Sequence, residues 1–333
     1  MASTNASDTL FGWDFQISAA IVLMLEDTEF ISEVRVEGKT EDIEITMTDG
    51  EHIFSQAKAL ANPSDTKNVR KKLADALGTL NHASLSSATK KLIYITNAYN
   101  PLNESGSMPV FYGQARKSYS SLPDGGKKVI DSIISKKSLD NLDKDKLYIY
   151  TLPFEQDLQE RYKVVLEKVK DFITAIKPVL SGIAQNVLDV WLQQLFGNAT
   201  LHDTDIVLSK EDLMWPLIVI MCDNERSNPF IDQMEDGAYE EICMRYKNFI
   251  DCKSQKFTLT TRVTSDYQNY PKEALDGNAQ VVEFIDKNWG NYSSEFSSGE
   301  VDEATENLIK VTLYRIIQQR RLISDVKKKV NLL

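Results

Sequence analysis

The sequence predicts an α/β domain with a mixed central sheet and flanking helices, followed by a mainly α domain. Two patterns carry this expectation. Short segments of alternating apolar and polar residues, rich in β-branched side chains, interleave with amphipathic helical spacing up to about residue 150. Beyond Pro153, helical spacing runs almost unbroken. A length of 333 residues also suggests two domains at roughly 150 residues each, enough to bury a core without metal or disulfide staples. The boundaries follow as 1–152 and 153–333.

The first helix is expected over Phe11–Glu26, capped by Ser7 or Asp8, and its apolar circumference predicts burial. Its apolar stretch, Trp13–Leu25, is broken by Asp14 and Gln16 and falls short of the ~18 residues of a membrane span. No basic segment precedes it, so neither membrane attachment nor a secretory leader is expected. Three strands follow at Glu33–Glu37, Asp42–Met47 and His52–Lys58, the last two joined by the turn Thr48-Asp49-Gly50-Glu51. A helix over Asp65–Leu80, with Ser64 or Asp65 as cap, sets Val69, Leu73, Leu77 and Leu80 on one side. The strand Leu92–Thr96 completes a strand–helix–strand unit and favours parallel pairing. A helix over Gly126–Ser135 and a strand over Leu147–Leu152 close the domain.

In the second half, Glu160–Phe196 is helical with breaks at Pro178 and Gly182. Leu208–Met221, Tyr239–Asp251 and Glu303–Lys329 read as helices, and Lys256–Val263 as a strand.

Several chemistries are disfavoured. Cys222, Cys243 and Cys252 form no CxxC pair and suit a reducing cytoplasm, where the chain is expected to reside. His52, His82 and His202 are scattered, and neither a GxxxxGK[ST] phosphate loop nor a GxSxG elbow is present. The net charge of −11 argues against nucleic-acid binding. Its distribution weakens that objection, because the first 150 residues hold 17 basic against 20 acidic side chains and the remainder 21 against 29.

The informative stretch is Val36–Lys58. Strand alternation places Asp42, Glu44 and Thr46 on one face, and Gln56 with Lys58 on one face of the partner strand. A tight hairpin then brings Asp42 to the Gln56–Lys58 edge. The spacing E-x4-D-x13-Q-x-K, formed by Glu37, Asp42, Gln56 and Lys58, resembles the PD-(D/E)xK active site of restriction-endonuclease-like nucleases in its QxK variant. Gly12–Gln16, reading G-x-x-F-Q, is similar to the start of the nuclease domain in antiphage effectors of CBASS and Lamassu type. The resemblance covers Leu10–Ala59 by motif and extends towards Leu152 by element order, leaving the second half outside it.

The resemblance implies a restriction-endonuclease-like first domain that hydrolyses DNA phosphodiester bonds with Mg²⁺, or Mn²⁺ as substitute. Asp42 and Gln56 are its expected ligands, Glu37 takes a second metal or supporting position, and Lys58 is the catalytic cation. Glu44 is a candidate for the charge that Gln56 lacks. Gln16 is placed to reach the site from the helix and, with the basic residues Lys67, Arg70, Lys71 and Lys72 after QxK, is expected to contact nucleic acid. The Lamassu-type layout implies an SMC-like ATPase and an accessory subunit as partners, restraint in that complex, and self-association as a homo-oligomer on release. A non-cleaving adaptor of a defence complex, and cleavage of RNA, stay open as alternatives.

Overall fold

In the computed structural model, residues 6–222, 228–232, 234, 237, 238, 240–242, 244, 245, 257–271 and 277–332 are described. They divide into two compact units, Met1–Ala175 with Leu188–Lys210, and Ile176–Val187 with Glu211–Leu333. The chain leaves the first unit after Ala175 and returns to it from Leu188 to Lys210.

The first unit holds a seven-stranded mixed sheet. Its strands are β1 (Ile31–Val36), β2 (Ile43–Met47), β3 (His52–Lys58), β4 (Thr89–Thr96), β5 (Ala115–Ser118), β6 (Leu147–Thr151) and β7 (Leu208–Ser209), in the spatial order β5-β6-β4-β3-β2-β1-β7. The β1–β2–β3 meander is antiparallel, whereas β3, β4 and β6 run parallel. Thr48–Glu51 turns β2 into β3 with Gly50 at φ 82°, a conformation that suits glycine. The parallel crossover from β3 to β4 is made by α2 (Val69–Ala83) and that from β4 to β6 includes α3 (Asp124–Lys137).

Side-chain parity divides the core. Phe54, Leu92, Tyr94, Leu147 and Ile149 join Leu73, Leu77 and Leu80 of α2 and Val129 and Ile130 of α3 in one cluster. The opposite parity, Ile53, Ser55, Ile93 and Ile95, is also buried, and the first helix, α1 (Ala6–Glu26), packs on β1, β2 and β3. This explains why α1 is apolar around most of its girth: Phe15, Ala19, Ala20, Ile21 and Val22 are fully enclosed. The segment Ser7–Glu26 has the length and hydropathy of a membrane span, longer than the expected stretch, and burial within the unit accounts for that character.

Two departures from the expected elements have local causes. Residues 65–68 lie outside the helix, since Asn62 Oδ1 accepts from the Ser64 amide and Asp65 Oδ1 from the Lys67 amide. The α2 helix therefore starts at Val69, with Lys67 outside it. The expected strand over Lys256–Val263 is instead part of the helix Phe257–Asn269 for its described residues. There Leu259 and Val263 are buried at i, i+4 spacing, and packing overrides the β-branched propensity. The expected helix over Tyr239–Asp251 lies largely outside the described residues.

The first unit reclaims residues 188–210 through buried polar contacts on β1. Arg35, 2% exposed, donates to the carbonyls of Ile206 (2.8 Å) and Leu201 (3.0 Å), while Asn198 accepts from the Val36 amide and donates to Ile206. The second unit contains the helices Phe257–Asn269, Gly277–Asn288, Glu303–Gln318 and Arg320–Lys329. The expected helix Glu303–Lys329 is thus interrupted at Gln319. Lys327, near its basic end, is buried and donates to the hydroxyls of Thr260 and Thr261.

At the carboxyl ends of the parallel strands, Asn97 takes the Leu60 amide (2.7 Å) and donates to the carbonyls of Leu60 (2.8 Å) and Phe154 (2.9 Å). Three buried backbone groups depend on this one side chain. Asn97→Ala is expected to lower unfolding free energy by about 2–4 kcal/mol, seen in urea denaturation as a lower midpoint with an unchanged slope.

Candidate active site

The β2–β3 register pairs Ile43 with Ser55 and Glu44 with Phe54. One further step sets Asp42 opposite Gln56, at the end where β3 runs out towards Ala59. The Asp42 carboxylate is held there by three donors: Gln56 Nε2 at 3.1 Å on Oδ1, and the Ala57 amide at 2.9 Å and Lys58 Nζ at 2.8 Å on Oδ2. The structure thus brings Asp42, Gln56 and Lys58 together. The Asp42 and Lys58 side chains keep 18% and 29% exposure, which leaves the ion pair open to a ligand from solvent.

The loop between β1 and β2 sets the position of Asp42. Glu37 adopts φ 54°, a left-handed conformation uncommon for a residue with a side chain. Its amide donates to the Asp42 carbonyl at 2.8 Å and the Gly38 amide to that of Glu41 at 3.0 Å, so the loop closes on itself. Glu44 Oε1 accepts from the Thr40 amide, the Thr40 hydroxyl and the Glu41 amide at 2.9, 2.9 and 3.2 Å. Glu44 is therefore a brace for the loop, and its carboxylate is already engaged. A Cβ at Gly38 would stand 2.3 Å from Glu44 Cδ, which makes glycine the residue that fits.

Gln16 of α1 reaches the loop from beneath, its Nε2 donating to Glu37 Oε1 at 2.9 Å and to the Asp42 carbonyl at 3.1 Å. It is 5% exposed. The expectation that Gln16 contacts nucleic acid gives way to an inward role, in which it fixes Glu37 relative to Asp42. Glu37 meets the cluster through Gln16.

The basic residues after QxK separate. Lys72 donates to the Ala59 carbonyl and stands close enough to Lys58 to feel its charge. Burial first, and the Lys58 charge second, lower its pKa, while the Asp8 carboxylate opposes them. Arg70 donates to the Asn103 carbonyl at 2.9 Å, and Lys67 and Lys71 are exposed. Lys72 is the member of this group that borders the site.

Sequence reasoning missed three contributors. Thr96, paired with Lys58 across β3 and β4, donates to the Lys58 carbonyl at 2.6 Å, and Asn97 anchors the following turn. Glu41 is 3% exposed, and neither carboxyl oxygen has a hydrogen-bond partner among the described residues. Burial pushes its pKa up to about 8; the Gln56 amide lowers it, the Asp42 and Glu44 charges raise it, and Lys58 lowers it. The available signal was a carboxylate that continues the buried series Ile43, Ile45, Met47.

The donors suit the hard divalent cation implied by the resemblance, being carboxylate, amide and carbonyl oxygens. Among the described residues no group of three or more His, Cys, Asp or Glu is positioned to hold an ion. An ion here would rely on fewer carboxylates, supplemented by Gln56 with its amide turned to present Oε1. The buried oxygens of Glu41 require either a proton or a cation, and a cation in place of the proton is consistent with such a site.

No protein-family model matches the chain, and no curated protein sequence matches it. Among solved structures, part of the chain is similar to the Acinetobacter baumannii Cap4 SAVED/CARF-domain containing receptor. With the cyclic trinucleotide 3'3'3'-cAAA the TM-score is 0.40 at 13% identity, over 64% of this chain and 44% of the receptor. With 2'3'3'-cAAA it is 0.41 at 14% identity, over 64% and 45%. A further structure of the receptor gives 0.40 at 12% identity, over 64% and 46%. The chain spans less than half the length of these receptors, and at this likeness nothing about ligand or activity passes to it.

The state of Glu41 makes stability depend on pH. Its folded pKa lies above the ordinary carboxyl value, so the folded protein retains a proton that the unfolded chain has lost between about pH 4.5 and 8. Without divalent ions, its contribution to stability is present at pH 4.5 and is lost as pH rises through about 8. A Glu41→Gln variant is expected to flatten this part of the profile, by on the order of a few kcal/mol over the interval, in chemical denaturation of both proteins at matched pH.

Proposed function

We propose that the chain is a metal-dependent endonuclease with a restriction-endonuclease-like first unit, acting on DNA as an antiphage effector. The observation that supports it most is the meeting of Asp42 with Gln56, the Ala57 amide and Lys58 at one strand end. These groups come from a helix–meander–helix–strand order that agrees with the sequence resemblance.

In this reading the bound ion supplies Lewis acidity to the scissile phosphate and lowers the pKa of a water. Asp42 anchors that region, and Gln56 adds an amide oxygen after turning about its terminal bond. Lys58 Nζ, released from Asp42 Oδ2, holds the attacking water by hydrogen bonding and offsets charge developing on the phosphate oxygens. Lys72 adds positive charge beside Lys58, and Gln16 and Glu37 keep the Asp42 main chain in place. Restraint by an SMC-like ATPase and an accessory subunit, self-association on release, and a cytoplasmic setting belong to the same proposal and rest on the sequence resemblance alone.

A non-cleaving adaptor is the second reading, favoured by the neutral Gln56 and the tight closure of Lys58 on Asp42. Incubation of the full chain with plasmid DNA and Mg²⁺ separates them. The nuclease reading predicts metal-dependent nicking that falls at least a hundredfold in both Asp42→Asn and Lys58→Ala. Equal cleavage by wild type and Lys58→Ala would remove the role given to that lysine. If no DNA or RNA is cleaved under any divalent ion while partner binding persists, the adaptor reading stands.

A further inference from the structure

We propose that Glu41 is the second carboxylate ligand of a divalent cation held beside Asp42, supplying the charge that Gln56 does not. The inference rests on the nuclease reading and names a ligand outside the E-x4-D-x13-Q-x-K pattern.

The acidic side chains around the loop have different obligations. Glu44 accepts three donors from the loop, Glu37 accepts from Gln16, and Asp42 accepts from Gln56, Ala57 and Lys58. Glu41 is the most buried of these four, at 3% exposure, and its two oxygens accept nothing among the described residues. A carboxyl group in that state needs a proton or a cation, since a bare buried carboxylate is costly. It directly precedes Asp42 on the loop that closes on itself, with the Gly38 amide donating to the Glu41 carbonyl at 3.0 Å and the Glu37 amide to the Asp42 carbonyl at 2.8 Å, which places it at the proposed site.

Local charge points the same way. Asp42 is already balanced by Lys58 at 2.8 Å, and Lys72 adds a neighbouring positive charge. A doubly charged ion resting on Asp42 and a neutral Gln56 would meet two cations against a single carboxylate. Ionised Glu41 moves this balance towards the ion. The class of cation follows from the donors, which are all oxygen and suit Mg²⁺ or Mn²⁺.

The test is Mn²⁺ binding to the purified full chain without nucleic acid near pH 8, followed by electron paramagnetic resonance and calorimetry, with thermal melts of each variant. Wild type is expected to bind Mn²⁺, with Glu41→Gln and Asp42→Asn each weakening binding at least tenfold. The double variant Glu41→Gln/Gln56→Glu, which moves the carboxylate across the site, is expected to recover to within about threefold of wild type. Where Glu41→Gln loses a cooperative melt, Glu41→Asp replaces it, and its shorter reach is expected to weaken binding several-fold. Wild-type affinity in the folded Glu41 variant, alongside loss in Asp42→Asn, would overturn the role of Glu41 and leave the nuclease reading intact. No Mn²⁺ binding by wild type at millimolar concentration would overturn the ion site itself, and the Glu41 assignment with it.

Discussion

The Asp42 carboxylate joins two strands and a loop that otherwise have little reason to converge. It accepts the Ala57 amide, which lies at the end of the β2–β3 ladder, together with the side chains of Gln56 and Lys58. Antiparallel register sets Asp42 opposite Gln56, and a one-residue slip would turn these side chains to the other face. The positions of Lys58, the loop 37–41 and the α1 contact through Gln16 all refer to that register. A charge-assisted cluster of this kind gives geometric definition at a strand end where the ladder alone would fray.

The surroundings serve the same end from different directions. From α1, the Gln16 amide fixes the Asp42 carbonyl and Glu37. On the loop, Glu44 gathers the Thr40 and Glu41 amides and so fixes the turn that leads into Asp42. On β4, Thr96 and Asn97 hold the backbone of Lys58 and Leu60. Arg35 binds 201–206 onto β1, so residues distant in sequence stiffen the strand that leads into Glu37. The site is therefore held by several independent supports, while Asp42 and Lys58 retain partial exposure.

Much of this was legible in the sequence because it depends on local periodicity. Alternation in β2 and β3 and the Asp49-Gly50 turn specify a hairpin, and the hairpin specifies which residues meet. The apolar circumference of α1 likewise announced its burial. What escaped was tertiary in origin. Glu41 reads as one more acid in a charged loop until the fold encloses it. The start of α2 was displaced by side-chain turns at Asn62 and Asp65 that compete with helix formation. In the segment 257–263, buried helical packing outweighed a strand-like composition.

A divalent cation proposed at the end of β2 and β3 is located by anomalous diffraction from crystals grown with Mn²⁺. The expected peak lies about 2–2.5 Å from carboxylate oxygens of Asp42 and Glu41, with the Gln56 amide turned towards it and Lys58 Nζ displaced from Asp42 Oδ2. Anomalous peaks elsewhere, with Lys58 still closed on Asp42 and no ion between the two carboxylates, would contradict that placement.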